Sequence, residues 1–265
     1  MFAGNRVFVE GDASLADQYG AYASYPTDHD PILREHHGDA AWDEAGRIIE
    51  RYAGPDSEVL DLGCGAGFHV CNLAPRVKRM WGFEQDIALL DVARSRVEKC
   101  KLANVTLIEG NNSEASDFAA FPDESLDFAY SLRGPNMTPW LLTKLKPHAV
   151  FLQEMFRHYL GLATIFGRSS SAFLPHSPGN PEPLISNYAE LGLLPVSVRT
   201  FYWEEYFRDA DHLETYLCTG DHLSGRAYDK ERDRTPLELY ARYNTTPKGI
   251  RLVMTTKLYV FHQAR

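Results

Sequence analysis

Short apolar runs alternate with amphipathic stretches along the middle of the chain. Runs of four to seven residues predict five buried strands, at 58–62, 80–84, 105–108, 126–131 and 148–154. Between these runs, apolar residues recur at the spacing of an α-helix. Helices are predicted at 39–51, at 66–79 with Pro75 kinking or ending it, from a cap at Asp86 onward, and at 140–145. Strands that alternate with helices are typical of a parallel sheet covered by helices on both faces.

The pattern changes after Glu154. A polar, loop-like stretch at 157–177 is followed by a predicted helix at 182–193. The runs 196–203 and 252–261 predict two strands that pair antiparallel, and the aromatic-rich residues between them, 204–250, form an insertion. We expect this insertion to contain helices at 209–217 and 236–243 and to cover a ligand cleft.

The N-terminal residues 1–38 are irregular and acidic. Tyr19, Tyr22 and Tyr25 recur at a spacing of three, followed by His36 and His37. Such an arm either closes over a ligand or packs its rings on the body of the protein, and spacing alone favours packing.

Composition narrows the possible partners. The 265 residues include 36 acidic and 27 basic side chains, for a net charge of −9. This balance gives no reason to expect attraction to nucleic acid or to anionic lipid. The scattered cysteines have no metal-ligand spacing and fit a cytoplasmic protein, and the chain contains no apolar run of about 18 residues. We therefore predict no metal site and no membrane span.

The most informative segment follows the first predicted strand. Gly63, Gly65 and Gly67 lie at alternate positions where the strand meets the next helix, so the backbone there can approach a ligand closely. The dinucleotide fingerprint G-x-G-x-x-G places its third glycine one position later, where this chain has Phe68. Asp61 adds a carboxylate that would repel a pyrophosphate and attract a cationic ligand.

Polar residues end the next strands as well. Glu84 ends the second strand, where a carboxylate can accept hydrogen bonds from both hydroxyls of a ribose. We expect it to be exposed and to contribute little to stability. Asn111 and Asn112 follow the third strand, placed to meet an adenine edge, and Ser131 ends the fourth. Ligands of open α/β sheets bind at such carboxyl ends.

The run VLDLGCGAG and the residues at the later strand ends resemble the class I S-adenosylmethionine-dependent methyltransferases, from about residue 41 to 156 and more loosely to the end. The resemblance implies a single α/β domain over 1–265, with a Rossmann-like, doubly wound, mostly parallel seven-stranded sheet that has an antiparallel end strand. Within it, 1–38 is an arm or lid, 39–156 the cofactor-binding core and 157–265 a C-terminal part.

The resemblance also implies the cofactor, S-adenosylmethionine, and the residues that bind it. The glycine loop would contact its amino-acid portion, Glu84 the ribose and Gln85 the adenine. The chain departs from the family at Asn111, where Gly-Asp is common, and at His148, within the usual Lys-Pro-Gly-Gly. The predicted cofactor-binding residues are Asp61, Gly63, Cys64, Gly65, Gly67, Glu84, Gln85, Asn111, Asn112 and Ser131.

The acceptor side is less specific. Arg133 either binds a substrate anion or pairs with a carboxylate, and Glu154 and His158 are either candidates for a general base or structural polar groups. The sequence predicts methyl transfer to an O, N or C atom of a small molecule. Its alternatives are an RNA methyltransferase and a non-catalytic cofactor-binding protein, with a nicotinamide dehydrogenase as the second choice on fold alone. The oligomeric state stays open.

Overall fold

A mixed β-sheet forms the centre of the computed structural model, which describes residues 32–155, 158–160, 166, 183–218 and 228–264. The tyrosines of the N-terminal arm lie outside the described residues. The strands are β1 (Leu33–His36), β2 (Glu58–Leu62), β3 (Arg79–Glu84), β4 (Val105–Glu109), β5 (Leu126–Leu132), β6 (Leu145–Glu154), β7 (His158–Leu160), β8 (Leu193–Phe207), β9 (Thr245–Thr246) and β10 (Gly249–Gln263). The helices are α1 (Ala41–Tyr52), α2 (Phe68–Leu73), α3 (Ile87–Lys99), α4 (Pro139–Leu142), α5 (Pro183–Glu190), α6 (Ala210–Cys218) and α7 (Lys230–Asn244).

The strands are ordered β1-β8-β10-β6-β5-β2-β3-β4, with β7 and β9 pairing with β10. From β6 to β4 all neighbours are parallel, and β10 is antiparallel to both β6 and β8. The predicted α/β fold is therefore confirmed, including the antiparallel pair at its end. The predicted count of seven strands is too low, because β1, β7 and β9 bring the sheet to ten strands within the described part of the chain.

Local sequence explains where the helices begin and end. The carboxylate of Asp86 accepts hydrogen bonds from the backbone amides of Ala88 and Leu89 and so caps α3, as predicted. Helix α2 is shorter than predicted because Pro75 lies in the 3₁₀ turn that follows it. Helix α7 begins before Pro236, since Asp229 caps it at Lys230.

Alternate residues along the parallel strands point to opposite faces. Val59 belongs to a core with α1, α2 and α3, whereas Leu60 belongs to a core with α4 and α5. The long strands β8 and β10 form an antiparallel pair, and β10 also pairs with β6 from Leu258 to His262. The other half of β10, from Gly249 to Lys257, passes the carboxyl end of β6 at Glu154. There the pair packs against α6 and α7 around a third core, and we call this part the extension.

Candidate functional site

A cleft of about 630 Å³ opens at the carboxyl ends of the parallel strands. Seven of the predicted site residues line it: Gly63, Gly65, Glu84, Gln85, Asn111, Asn112 and Arg133. Eight further residues line the cleft and were not predicted to bind a ligand. They lie close in sequence to the predicted residues: Phe83, Leu89, Gly110, Ser113, Leu132, Gly134, Pro135 and Asn136. The cleft therefore draws on the ends of four adjacent strands, which only the order of the sheet brings together.

The first glycine turn is held tightly against its surroundings. The backbone amides of Gly63 and Cys64 both donate to the carbonyl of Phe83, at 2.8 and 3.0 Å, which joins the end of β2 to β3. Gly63 has a φ of 82°, and a Cβ there would lie 2.8 Å from the ring Cδ of Pro135. Only glycine fits this position.

The carboxylate of Glu84 lies against the glycine loop. Its Oε2 accepts from the backbone amide of Gly65 at 2.8 Å, and its Oε1 accepts from Gln85 and Asp86, each at 3.0 Å. This corrects the expectation that Glu84 contributes little to stability, because the side chain ties the loop to β3. A carboxylate offers about four acceptor sites. Among the described residues three of them are taken, so one site on Oε2 stays available to a hydroxyl in the cleft.

The far end of the cleft carries two amides. The Nδ2 of Asn112 donates to the carbonyl of Asn136 at 2.9 Å. Its Oδ1 is buried and has no hydrogen-bond partner among the described residues. The Oδ1 of Asn111 accepts from the backbone amide of Ser113 at 3.0 Å. An unsatisfied buried acceptor on a cleft wall is suited to an amino group such as that of adenine.

Four of the predicted cofactor residues lie outside the lining of the cleft. Asp61 is 3% exposed and accepts a hydrogen bond from the Tyr130 hydroxyl at 3.1 Å. Burial raises the pKa of its carboxyl to about 8, against the opposing effect of that bond. The Ser131 hydroxyl donates to the carbonyl of Pro135 at 2.7 Å. Within the glycine loop, Cys64 is buried and Gly67 lies close to Ala93 of α3. These four residues shape the loops, and direct contact with a cofactor remains a prediction for them.

Arg133 occupies an unusual position at the end of β5. Its φ of 61° is left-handed, which is strained for a residue with a Cβ. The guanidinium lies 4.7 Å from the centre of the Trp42 ring, and its Nε lies 3.7 Å from Oε2 of Glu154. Trp42 in turn stacks on His69, at 5.2 Å between ring centres. The sequence did not single out Trp42, because the spacing of α1 shows only that this residue faces the core.

Neither of the candidate bases, Glu154 and His158, is among the residues that line the cleft. Glu154 is 2% exposed and does not line it. His158 lies in β7, opposite Thr255 of β10, beyond the carboxyl end of β6. A role as general base therefore stays a prediction for each residue.

The N-terminal histidines and the insertion lie away from the cleft lining. His36 stacks on Trp203, and His37 lies 3.5 Å from Glu204, beside β8 in the opposite half of the sheet.

The predicted insertion extends past the carboxyl edge of the sheet, on the side of the cleft. Its described residues do not line the cleft, so the expected cover is not seen in them. Phe207, Tyr228 and Tyr240 of the insertion instead belong to the core of the extension.

Among the described residues, no group of three or more histidine, cysteine or acidic side chains is arranged to hold a metal ion. Among the helices that the structure describes, none is long and apolar enough to cross a membrane.

Comparison with known proteins gives a sequence match to the central part of the chain. Residues 59–158 match the family model described as a methyltransferase domain. A probable cobalt-precorrin-6B C(15)-methyltransferase (decarboxylating) of Methanobrevibacter smithii is 36% identical over 76 residues. That match covers 27% of this chain and 41% of the relative, so the chain spans less than half of the relative's length.

Solved structures show the same fold across most of the chain. A functionally unknown protein from Deinococcus radiodurans R1 superimposes with a TM-score of 0.62 at 17% identity, covering 88% of this chain and 92% of the other. A putative methyltransferase from Bacillus halodurans C-125 has a TM-score of 0.53 at 15% identity, covering 83% and 98%. The family match over residues 59–158 and the shared fold both support the resemblance stated from the sequence.

Proposed function

This chain carries a methyltransferase domain of the class I fold, and we propose from that premise that it transfers a methyl group from S-adenosylmethionine to a small molecule. The observation that carries the proposal is the position of Glu84. Its carboxylate lies between the glycine turn and the two asparagines, inside one cleft. This arrangement fits a ligand with a ribose in its middle and an adenine at one end.

The residues present fit the cofactor at each part of its length. The available acceptor site on Glu84 suits a ribose hydroxyl, and the unpaired Oδ1 of Asn112 suits the adenine amino group. At Gly65 the φ is 52°, and a Cβ would meet nothing within 4 Å, so the backbone leaves space for a ligand. The remaining wall, at Gly63 and Arg133, would then lie beside the amino-acid portion and the sulfur.

The protein's contribution to such a reaction is binding and orientation. The sulfonium of the bound cofactor supplies an electrophilic methyl group. The chain must hold a nucleophilic atom in line with that methyl group, and such positioning accounts for a large share of the rate in group transfer. The acceptor would enter beside Arg133 and Gly134, which form the wall next to the sulfur. An acceptor that is neutral before attack can lose its proton to water afterwards, without a dedicated base.

Calorimetry tests the choice of cofactor. We expect S-adenosylmethionine and S-adenosylhomocysteine to bind and NAD to give no heat. The matched pair of variants is Glu84→Gln and Glu109→Gln. Glu109 is the register partner of Glu84 on β4 but does not line the cleft. Affinity should fall in the first variant only. Binding of NAD in preference to both sulfur ligands would overturn the proposal.

The class of acceptor requires a second measurement. The acidic net charge supports a small molecule over RNA. Release of S-adenosylhomocysteine should therefore be stimulated by members of a metabolite panel and not by bulk RNA. Stimulation by RNA alone would favour the RNA methyltransferase, and cofactor binding without release on either would favour the non-catalytic protein.

A further inference from the structure

Two hydrogen-bond donors without an acceptor lie together near the sulfur end of the cleft. The Nε of Arg133 and the Nε1 of Trp42 are both buried, and neither has a hydrogen-bond partner among the described residues. The Trp42 side chain is 7% exposed, and the Arg133 guanidinium lies over its ring. Buried donors are normally satisfied, so this pair marks a place where an acceptor belongs.

The surroundings hold the guanidinium in place. Trp42 lies against its face at 4.7 Å, and Glu154 lies on its Nε side at 3.7 Å, beyond hydrogen-bond distance. The backbone amide of Arg133 also donates to the carbonyl of Glu154 at 3.1 Å. The residue keeps a left-handed backbone despite its Cβ, and strain of this kind is common at binding sites. Arg133 is 27% exposed and lines the cleft, so part of the guanidinium can reach a ligand.

We propose that Arg133, positioned by Trp42 and Glu154, binds a carboxylate group beside the sulfur of the cofactor. A planar guanidinium matches a carboxylate with two parallel hydrogen bonds. The carboxylate has two possible sources, the amino-acid portion of the cofactor or an acidic methyl acceptor. This inference rests on the proposed function, since it needs the adenine and the ribose at Asn112 and Glu84.

Two ligands that differ in the amino-acid portion separate the sources. S-adenosylhomocysteine carries the α-carboxylate, and methylthioadenosine lacks it. If the cofactor is the source, Arg133→Gln should lower the affinity for S-adenosylhomocysteine by about 10- to 100-fold and leave methylthioadenosine unchanged. If the acceptor is the source, both nucleosides should bind the variant as before. Benzoate should then bind the S-adenosylhomocysteine complex of the wild type and not that of the variant.

The controls address folding and general charge effects. Arg79→Gln removes a guanidinium that lies 4.5 Å from the Trp81 ring but outside the cleft lining, so it should change none of these affinities. Arg133→Gln combined with Glu154→Gln avoids leaving a buried carboxylate without its cation, and Arg133→Lys should retain part of the effect. Unchanged binding of all three ligands in a folded Arg133→Gln variant would overturn this assignment alone. A wild type that binds neither nucleoside would overturn the proposed function and the assignment together.

Discussion

The carboxylate of Glu84 accepts a hydrogen bond from the backbone amide of Gly65 at 2.8 Å, across the end of β3 and the glycine loop. A residue predicted to meet a ligand thus also fixes the loop that would meet the same ligand. The end of β3 and the glycine loop, which form two walls of the cleft, therefore both depend on the Glu84 side chain.

Glu84→Gln should therefore have two effects. Affinity for S-adenosylhomocysteine should fall by about one to two orders of magnitude, because a charge-assisted bond to a hydroxyl contributes about 1.5–3 kcal/mol. The free energy of unfolding without ligand should also fall by about 1–3 kcal/mol, since one acceptor that faces backbone amides becomes a donor. Calorimetry and urea unfolding measure the two effects. Loss of affinity with unchanged stability would show that the bond to Gly65 is weak in solution.

Gly65 and Gly67 should respond differently to the same substitution. Gly67 has a φ of 73°, and a Cβ there would lie 2.8 Å from the Cβ of Ala93, so Gly67→Ala combines strain with a clash between α2 and α3. We expect a loss of about 2–4 kcal/mol in the free energy of unfolding. Gly65→Ala should cost about 1–2 kcal/mol in strain and chiefly weaken cofactor binding, because its Cβ enters open space. Equal stabilities of the two variants would contradict this division.

Asp61 predicts a pH dependence of stability. In the unfolded chain its carboxyl ionises near the ordinary value of 3.8, whereas burial keeps it protonated in the folded protein up to about pH 8. The free energy of unfolding should therefore decrease as the pH rises through this window. Asp61→Asn cannot ionise, so its stability relative to the wild type should increase by up to about 1.4 kcal/mol per pH unit within the window. Thermal unfolding from pH 5 to pH 9 compares the two, and parallel profiles would place the pKa of Asp61 near its ordinary value.

His148 stands where the family pattern has a glycine, and its backbone conformation is one that favours glycine. It has a φ of 65°, at the position where the usual Lys-Pro-Gly-Gly has a glycine, in the irregular stretch of β6. His148→Gly should stabilise the protein by about 0.5–1 kcal/mol, because relief of strain exceeds the added entropy of the unfolded chain. His148→Ala removes the imidazole and keeps the strain, so it should give no gain. Chemical denaturation of both variants distinguishes backbone strain from side-chain contacts.

The sequence predicted those parts of the fold that depend on local patterns. The apolar runs located the central strands, and Asp86 marked the start of α3, because burial and capping are visible in neighbouring residues. Strand β1 was missed because its residues, LREH, have no apolar alternation. Its support comes from distant partners: Arg34 donates to Glu205, and Lys248 pairs with Glu35.

The candidate site likewise contains residues that the sequence predicted and contacts that it did not predict. The glycine spacing and the strand ends predicted the residues of the cleft, since each lies next to a recognisable turn. The contact of Arg133 with Trp42 joins the end of β5 to α1, although the two residues are 91 positions apart in the sequence. The bond from Gly65 to Glu84 likewise depends on how β2 and β3 pair. Sequence patterns indicate which residues are buried, but they do not show which two distant side chains meet.

The antiparallel pair of β8 and β10 contributes to two different hydrophobic cores. Leu258 and Val260 of β10 pack with the central sheet, whereas Leu252 and Met254 pack only within the extension. One strand is thus shared by two hydrophobic cores, so we expect its two halves to exchange their amide hydrogens at different rates.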